Sequence, residues 1–255
     1  MFLGNMPKML GMIYAIIALL ILVYLFHKDK FNQKIGYLFL TISTLMGFLV
    51  FSPMFPTQLQ SILLGNIKQL GAPLPLAILG LALFIVLTFV FGRIFCGYLC
   101  PIGAIQEIFY LLPTSKKKIT SKKYIIIFRL IFFLFIISSA LIFSINTLFY
   151  LGISSFFKFG LTSIFLISFS TLLLISTFFY RPFCRFFCPY GVFQSFIASV
   201  SIFKLKRNNK CIECGKCEKI CPTNEAGKND LKQECYMCNR CREICPVHAI
   251  DYRKK

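Results

Sequence analysis

The twelve cysteines of this chain all fall into four short motifs that each end in Cys-Pro. Two motifs read C-x2-C-x2-C-x3-C-P, the spacing with which bacterial two-cluster ferredoxins hold [4Fe-4S] clusters. Their cysteines are Cys211, Cys214, Cys217 and Cys221 in the first motif, and Cys235, Cys238, Cys241 and Cys245 in the second. Thiols in this pattern indicate a chain that moves electrons.

The spacing also predicts which cysteines share a cluster. Three cysteines at x2 intervals bind one cluster in this motif class, and the fourth, before proline, binds the other. We therefore predict one cluster at Cys211, Cys214, Cys217 and Cys245, and a second at Cys235, Cys238, Cys241 and Cys221. A zinc site needs only four ligands and would leave half of the thiols unused. Disulfide bonds are not expected either, because this segment is predicted to lie in the reducing cytoplasm.

The other two motifs, CGYLCP and CRFFCP, form an internal repeat. Residues 93–106 and 181–194 share Arg, Phe, both cysteines, Pro, Gly and Gln. The thiols are those of Cys96, Cys100, Cys184 and Cys188. If each preceding helix continues to the proline, the i, i+4 spacing places both thiols of a motif on one helix face. Four converging thiols could ligate a further metal centre, exchange as a dithiol/disulfide couple, or carry a metal ion.

The arginine that opens each repeat, Arg93 or Arg181, has two interpretations. It could be an ordinary anchor whose charged head reaches the water at a membrane surface. It could instead stabilise a reduced, negatively charged centre. The residues alone do not choose between the two roles.

Long apolar segments must position these motifs. Hydrophobic residues make up 57% of the chain, and a helix crosses a bilayer in about 20 residues. Five stretches are apolar over such a length: roughly 9–26, 35–53, 74–95, 124–145 and 160–180. The first lacks the small-residue cleavage site of a signal peptide and is interpreted as a span. An arrangement of four spans without it stays open.

Lysine and arginine predict the orientation, because they concentrate in cytoplasmic loops. The segments after the first, third and fifth predicted spans are basic, whereas the others hold only Lys8, Lys68 and Lys158. Residues 96–123 and 181–255 are therefore expected in the cytoplasm. The net charge of +19 then reflects basic loops against anionic lipid, and no nucleic-acid-binding motif is visible. We expect a multi-pass protein of the plasma membrane, with membrane lipid and no nucleic acid as a partner.

Two domains follow from these observations. Residues 1–203 are predicted to form a transmembrane domain with two C-x3-C-P motifs, each followed by an interfacial helix. Residues 204–255 hold eight cysteines and seven of the nine acidic residues. A domain this short cannot form a sufficient hydrophobic core, so we expect the iron–sulfur clusters to stabilise its fold. The predicted fold class is α: a polytopic membrane bundle of about five transmembrane helices, with a small C-terminal cytoplasmic ferredoxin-like domain that holds two [4Fe-4S] clusters.

Other cofactor motifs are not visible. The chain has no C-x-x-C-H haem motif, no G-x-G-x-x-G and no P-loop, so haem, nicotinamide and nucleotide are not expected. No catalytic residue is predicted. The chain is expected to be an electron-transfer component and not an enzyme on its own.

Several apolar spans, two C-x3-C-P motifs and a C-terminal pair of ferredoxin motifs together resemble the NapH/NosR family of membrane iron–sulfur proteins. The resemblance runs from about residue 35 onward. It implies an integral membrane electron carrier with two cytoplasmic [4Fe-4S] clusters, in some relatives drawing on quinol. The chain departs by its additional N-terminal span and by lacking the large extracytoplasmic flavin domain of NosR-like members.

Three functions remain in competition. The first is electron transfer between a membrane donor, quinol or a partner subunit, and a redox partner protein. The second is an accessory role in handling or reducing copper at the C-x3-C-P cysteines, because soft thiolates select Cu(I). The third is a membrane dock for a soluble redox partner, in which the clusters are mainly structural.

Overall fold

The computed structural model describes residues 6–49, 56–64, 74–119, 121–144, 147 and 163–254, and the chain is mostly helical there. The α-helices are α1 Met6–His27, α2 Gln33–Leu49, α3 Pro56–Leu63, α4 Leu74–Phe91, α5 Pro101–Tyr110, α6 Lys122–Phe143, α7 Ser163–Phe178, α8 Pro189–Ser199, α9 Lys216–Ile220 and α10 Arg240–Glu243. The remaining elements are the π-helices π1 Phe95–Leu99 and π2 Phe183–Phe187 and the strands β1 Phe203–Arg207 and β2 Ile250–Lys254.

The long helices coincide with the five apolar segments, although residues 50–53, 145 and 160–162 of the predicted spans lie outside the described residues. Within the described part, one helix, Lys122–Phe143, is long and apolar enough to cross a membrane, with a mean hydropathy of 2.8. Shorter apolar helical stretches are Ile13–His27, Ala77–Phe91 and Leu166–Phe178. The mostly helical fold is confirmed, and the bundle of five spans stays a prediction.

Each C-x3-C-P motif forms the same pair of elements. The motif lies on a π-helix, and its second cysteine leaves that helix in an extended conformation, with ψ 119° at Cys100 and 115° at Cys188. Proline then takes the first position of α5 or α8, where its missing N–H removes no hydrogen bond.

The π turn changes the expected geometry of the thiols. The N–H of Cys100 bonds to the carbonyl of Phe95, five residues back, and the N–H of Cys188 bonds to that of Phe183. The helix therefore does not continue regularly to the proline, and the condition for placing both thiols on one α-helix face is not met. The turn is wider because its hydrogen bond spans one residue more than that of an α-helix, and the proline then starts a new helix.

The C-terminal segment packs against the helices and shares their core. Strands β1 and β2 pair antiparallel, with Leu205 opposite Tyr252. Both side chains are buried in the same apolar cluster as Phe26, Tyr98 and Met237. The ferredoxin motifs are thereby held against the helices that carry the C-x3-C-P motifs.

The two parts approach each other closely at Gly97 in π1. A Cβ atom added there would lie 2.3 Å from the carbonyl oxygen of Tyr236, so only glycine fits without a shift of backbone. Beside it, the hydroxyl of Tyr98 donates a hydrogen bond of 3.0 Å to the carbonyl of Met237. The second ferredoxin motif is therefore in direct backbone contact with the first C-x3-C-P motif.

Candidate metal centres

The eight cysteines of the ferredoxin motifs lie around two separate cavities. One, of about 20 Å³, is lined by Cys211, Cys214, Cys217 and Cys245. The other, of about 30 Å³, is lined by Cys221, Cys235, Cys238 and Cys241. Each cavity takes three cysteines from one motif and the cysteine before proline from the other. The side chains are thus grouped as the spacing predicts, while their ligation of a metal stays a prediction.

The four thiols of the internal repeat also come together. A third cavity, of about 40 Å³, is lined by Cys96, Cys100, Cys184 and Cys188. Its other lining is almost wholly apolar: Phe84, Phe95, Ile102, Phe183, Tyr190 and Gly191, with Arg93 as the charged member. All twelve cysteines are described, and none is in a disulfide. Among the described residues, no three His, Cys, Asp or Glu side chains converge as ligands of a single metal ion.

The cysteines before proline in the ferredoxin motifs accept hydrogen bonds from the backbone. The N–H of Glu225 donates to the sulfur of Cys221 at 3.2 Å, and the N–H of Ala249 donates to the sulfur of Cys245 at 3.3 Å. Hydrogen bonds of this kind to cysteine sulfur tune iron–sulfur clusters. The local backbone therefore fits the cluster that the motif predicts.

The cysteines before proline in the repeat lie at the start of a helix. The N–H of Ala104 donates to the carbonyl of Cys100 at 2.8 Å, and the N–H of Gly191 donates to the carbonyl of Cys188 at 3.0 Å. Burial raises the pKa of Cys100 to about 11 and that of Cys188 to about 12.

A buried set of charges lies between the repeat and the second ferredoxin motif. It is called here the arginine layer, and its members are Arg93, Arg129, Arg181, Arg185, Arg240, Glu107 and Glu234. The first four arginines are at most 3% exposed. Charges this deeply buried are stable only when they are paired.

Glu234, one residue before the second ferredoxin motif, is the partner of three of these arginines. Its carboxylate lies 3.1 Å from Nη1 of Arg93, 2.5 Å from Nη1 of Arg129 and 3.7 Å from Nε of Arg185. Burial alone would raise the pKa of Glu234, but Arg93 and Arg129 hold it below the ordinary value. The carboxylate is therefore ionised at neutral pH.

Glu107, on α5, is the second carboxylate of the layer. Nε of Arg181 donates to it at 2.9 Å, and Arg240 pairs with its other oxygen. Burial would raise the pKa of Glu107, and Arg240 and Arg181 lower it below the ordinary value. Five guanidinium groups thus face two carboxylates, which leaves an excess of three positive charges in the buried layer.

Tyr236 connects the layer to both groups of thiols. Its ring lies 4.2 Å from the guanidinium carbon of Arg93 and 4.9 Å from that of Arg181, a cation–π arrangement. It follows Cys235 in the chain and packs in the apolar cluster that includes Cys184. The second ferredoxin cavity and the repeat cavity therefore share this side chain as a neighbour.

The two halves of the repeat hold each other. Arg181 donates to the carbonyl of Gly97 at 2.6 Å and also to that of Cys96. In the other direction, the side-chain carbonyl of Gln106 accepts the N–H of Phe183 at 3.0 Å. The two halves are therefore joined by reciprocal hydrogen bonds.

The structure decides between the two interpretations of Arg93 and Arg181. Each is 1% exposed and paired with a buried carboxylate, so the interpretation as water-seeking membrane anchors is wrong. Sequence reasoning missed their partners and also missed Arg129, which lies inside an apolar helix. An ionisable residue in such a helix is itself a signal of a functional site.

Comparison with known families locates 4Fe-4S domains over both kinds of motif. A 4Fe-4S binding domain matches residues 73–120 and 162–210, the two halves that carry the C-x3-C-P motifs. A second 4Fe-4S binding domain matches residues 206–224, which include the first ferredoxin motif. The predicted presence of ferredoxin-type 4Fe-4S domains, with one at the C-terminal end, is confirmed.

Three known proteins are similar to this chain over more than half of its length. The uncharacterized protein MJ0750 of Methanocaldococcus jannaschii is 32% identical over 173 residues, which are 63% of this chain and 68% of that protein. MJ0749 of the same organism is 32% identical over 149 residues, 54% of each chain. YccM of Escherichia coli K12, named as a candidate electron transport protein, is 31% identical over 170 residues, 58% of this chain and 46% of YccM.

The chain spans about half the length of MJ0749 and YccM. No solved structure matches it. Its similarity to MJ0750 extends over more than two thirds of that protein. The chain therefore belongs to the MJ0750 family, and it carries 4Fe-4S binding domains of the ferredoxin type.

Proposed function

We propose that the chain is an integral membrane iron–sulfur protein of the NapH/NosR type that transfers electrons between a membrane donor and a redox partner protein. The donor is quinol or a partner subunit, and the cluster domain faces the cytoplasm. One observation carries the proposal. Two cysteine tetrads each surround their own cavity, and a buried charged layer joins the second ferredoxin motif to the ends of apolar helices. The name of YccM, a similar protein, supports the same function.

The surface of the long helices supports the membrane part of the proposal. Large apolar side chains are exposed along α1, α4, α6 and α7, among them Leu20, Leu79, Ile131, Ile142 and Ile167. Contiguous apolar surface of this kind marks contact with lipid or with another protein. A lipid surface around these helices and a cytoplasmic face at the basic tail agree with the distribution of lysine and arginine.

The tail cysteines would hold two [4Fe-4S] clusters, in the crossed sets Cys211, Cys214, Cys217 and Cys245, and Cys235, Cys238, Cys241 and Cys221. Each cluster supplies a carrier of one electron, and two carriers match the two electrons that a quinol releases with two protons on becoming a quinone. The chain itself provides backbone N–H donors to the sulfurs of Cys221 and Cys245. Arg240 adds a positive charge beside Cys238, which favours an anionic centre.

A second candidate function is metal handling at the repeat. Four thiols share one apolar cavity, and soft thiolates select Cu(I) over harder ions. In that case the C-x3-C-P cysteines would bind copper beside an electron source. The remaining alternative, a dock with structural clusters, predicts that the clusters exchange no electrons with a donor.

The test is a reduction experiment on the protein purified anaerobically in detergent. The tail should hold about eight iron and eight sulfide, and a soluble quinol analogue should reduce the clusters, as EPR would record. A Cys238→Ser variant should lose the signal of one cluster and keep the other. Zinc in place of iron would contradict the proposed role of the clusters. Clusters that dithionite reduces but no quinol analogue reduces would contradict the proposed role of quinol as the donor.

A further inference from the structure

We infer that Cys96, Cys100, Cys184 and Cys188 hold a third [4Fe-4S] cluster, with two thiolates from each half of the internal repeat. The inference rests on the proposed function and specifies the chemistry of the thiols that the two tail clusters leave unused. It places a redox centre inside the helical part of the protein, next to the second ferredoxin motif.

The donor set and its surroundings fit such a cluster. The four thiols line one cavity whose other walls are apolar apart from Arg93. Four cysteine thiolates are the usual ligands of a [4Fe-4S] cluster, and an apolar shell limits the access of solvent. The family of 4Fe-4S binding domains that matches this chain covers both halves of the repeat, which favours iron and sulfide over a single zinc ion.

The backbone at the repeat cysteines resembles that of the first ferredoxin motif. Cys100, Cys188 and Cys221 each precede proline and each leave a short helix in an extended conformation, with ψ of 119°, 115° and 116°. The repeat thus turns the chain at its second cysteine as a complete ferredoxin motif does.

The positive charge of the arginine layer favours an anion at this place. Arg93 lies beside Cys96 and Cys184, and Arg181 lies beside Cys184. Five arginines against two glutamates leave three positive charges, of which Arg240 faces Cys238 of the second tail cluster. The other two positive charges match an oxidised [4Fe-4S] cluster, which together with its four thiolate ligands has a net charge of about −2. A disulfide or a pair of thiols is neutral and would leave these charges unbalanced.

Unpartnered donors in the layer agree with this assignment. The Nε atoms of Arg93 and Arg185 are buried and have no hydrogen-bond partner within the described structure, although both residues are at most 2% exposed. A buried donor without an acceptor is destabilising. Arg93 lines the thiol cavity, so sulfide or thiolate there would supply an acceptor.

The experiment is a count of iron and acid-labile sulfide in the full-length protein, purified anaerobically in detergent. The wild-type chain should hold about 12 of each. A Cys184→Ser variant should fall to about eight of each, with the EPR signals of both tail clusters unchanged. The matched variant Cys214→Ser should also fall to about eight, but should lose a tail signal and keep the third one.

Three results would overturn the inference or the proposal beneath it. About eight iron atoms per chain in both the wild type and Cys184→Ser would refute the third cluster but not the proposed function. Eight iron with one copper or zinc that Cys184→Ser loses would assign a single-ion site instead. A chain without iron would overturn the proposed function as well. If Cys184→Ser fails to fold, the wild-type count of about 12 or about eight, checked by Mössbauer spectroscopy, decides alone.

Discussion

Glu234 neutralises more buried charge than any other residue described. Three guanidinium groups contact its carboxylate, and they come from the turn before π1, from α6 and from π2. A single carboxylate thus joins four segments of the chain around the second ferredoxin motif. Its loss would leave buried arginines without a partner, which destabilises far more than the loss of an exposed ion pair.

A Glu234→Gln substitution should therefore lower the free energy of unfolding by about 3–5 kcal/mol, the range found when a buried pair loses one partner. Denaturant titration in detergent, followed by the absorbance of the clusters, would measure the change. The matched control is Glu213→Gln, because Glu213 pairs with Lys228 and both side chains are more than 70% exposed. Equal effects of the two substitutions would refute the importance of the buried pair.

A second prediction for single residues concerns crossed ligation, in which the cysteine before proline in one ferredoxin motif binds the cluster of the other motif. Cys221 lines the cavity of the second motif, and Cys245 lines that of the first. Cys221→Ala should therefore damage the cluster of the second motif, at Cys235, Cys238 and Cys241. Cys245→Ala should damage the cluster of the first motif. EPR of the reduced protein, with signals assigned through loop variants, would measure both. A Cys221→Ala variant that changes only the signal of the first motif would show local ligation.

The four cysteine motifs are visible in the sequence, whereas their charged surroundings are not. The spacing of the thiols is local, so the motifs and the predicted ligand sets follow from the printed residues, and the ligation itself stays a prediction. The contacts of Glu234 join residues 141 and 105 positions apart, in Arg93 and Arg129. No short-range pattern encodes such pairs, and only the presence of Arg129 in an apolar segment could have pointed to one.

At the scale of elements, the contact between π1 and the second ferredoxin motif depends on one missing side chain. Gly97→Ala would place a methyl group 2.3 Å from the carbonyl oxygen of Tyr236. We expect overpacking of about 1–3 kcal/mol and a tail that proteases release more readily. Limited proteolysis in detergent would measure the release.

The matched control is Gly80→Ala. Gly80 lies in α4, and an added Cβ there would meet no atom within 4 Å. Alanine is the better helix former, so this variant should be as resistant to proteolysis as the wild type or more so. Similar release from both variants would mean that the close contact at Gly97 does not hold the tail.

Apolar length predicts the long helices, and the proline predicts where α5 and α8 begin. The π turns at Phe95–Leu99 and Phe183–Phe187 could not be predicted in the same way. Hydrophobic periodicity does not separate a π turn from an α turn over a segment as short as five residues. The repeat of both turns nevertheless follows from the repeat of the sequence.

At the scale of the whole molecule, the predicted topology remains to be tested. Lysine and arginine predict that the segment around residues 96–123 and the C-terminal tail lie in the cytoplasm. A reporter that is active only in the cytoplasm should work when fused after Lys255 and fail when inserted near Gln60. Activity at both positions would contradict the arrangement of five spans.

The predicted boundary at residue 203 separates the tail by composition, and it stays a prediction. The structure adds that the tail and the helices share one apolar cluster, in which Leu205 and Tyr252 meet Phe26 and Tyr98. Composition could not reveal this contact, because the apolar residues of the tail are few and far apart in the sequence. A tail expressed alone would expose these side chains.

The position of Glu234 in the chain also has a consequence for biosynthesis. During translation, Arg93, Arg129 and Arg185 leave the ribosome before their shared carboxylate, that of Glu234, exists. The helices must therefore wait in an incomplete state, with guanidinium groups still hydrated, until the last segment arrives. Cofactor loading and closure of the layer would then be late, coupled events of maturation, and a nascent chain stalled before residue 234 would be a substrate for quality-control proteases.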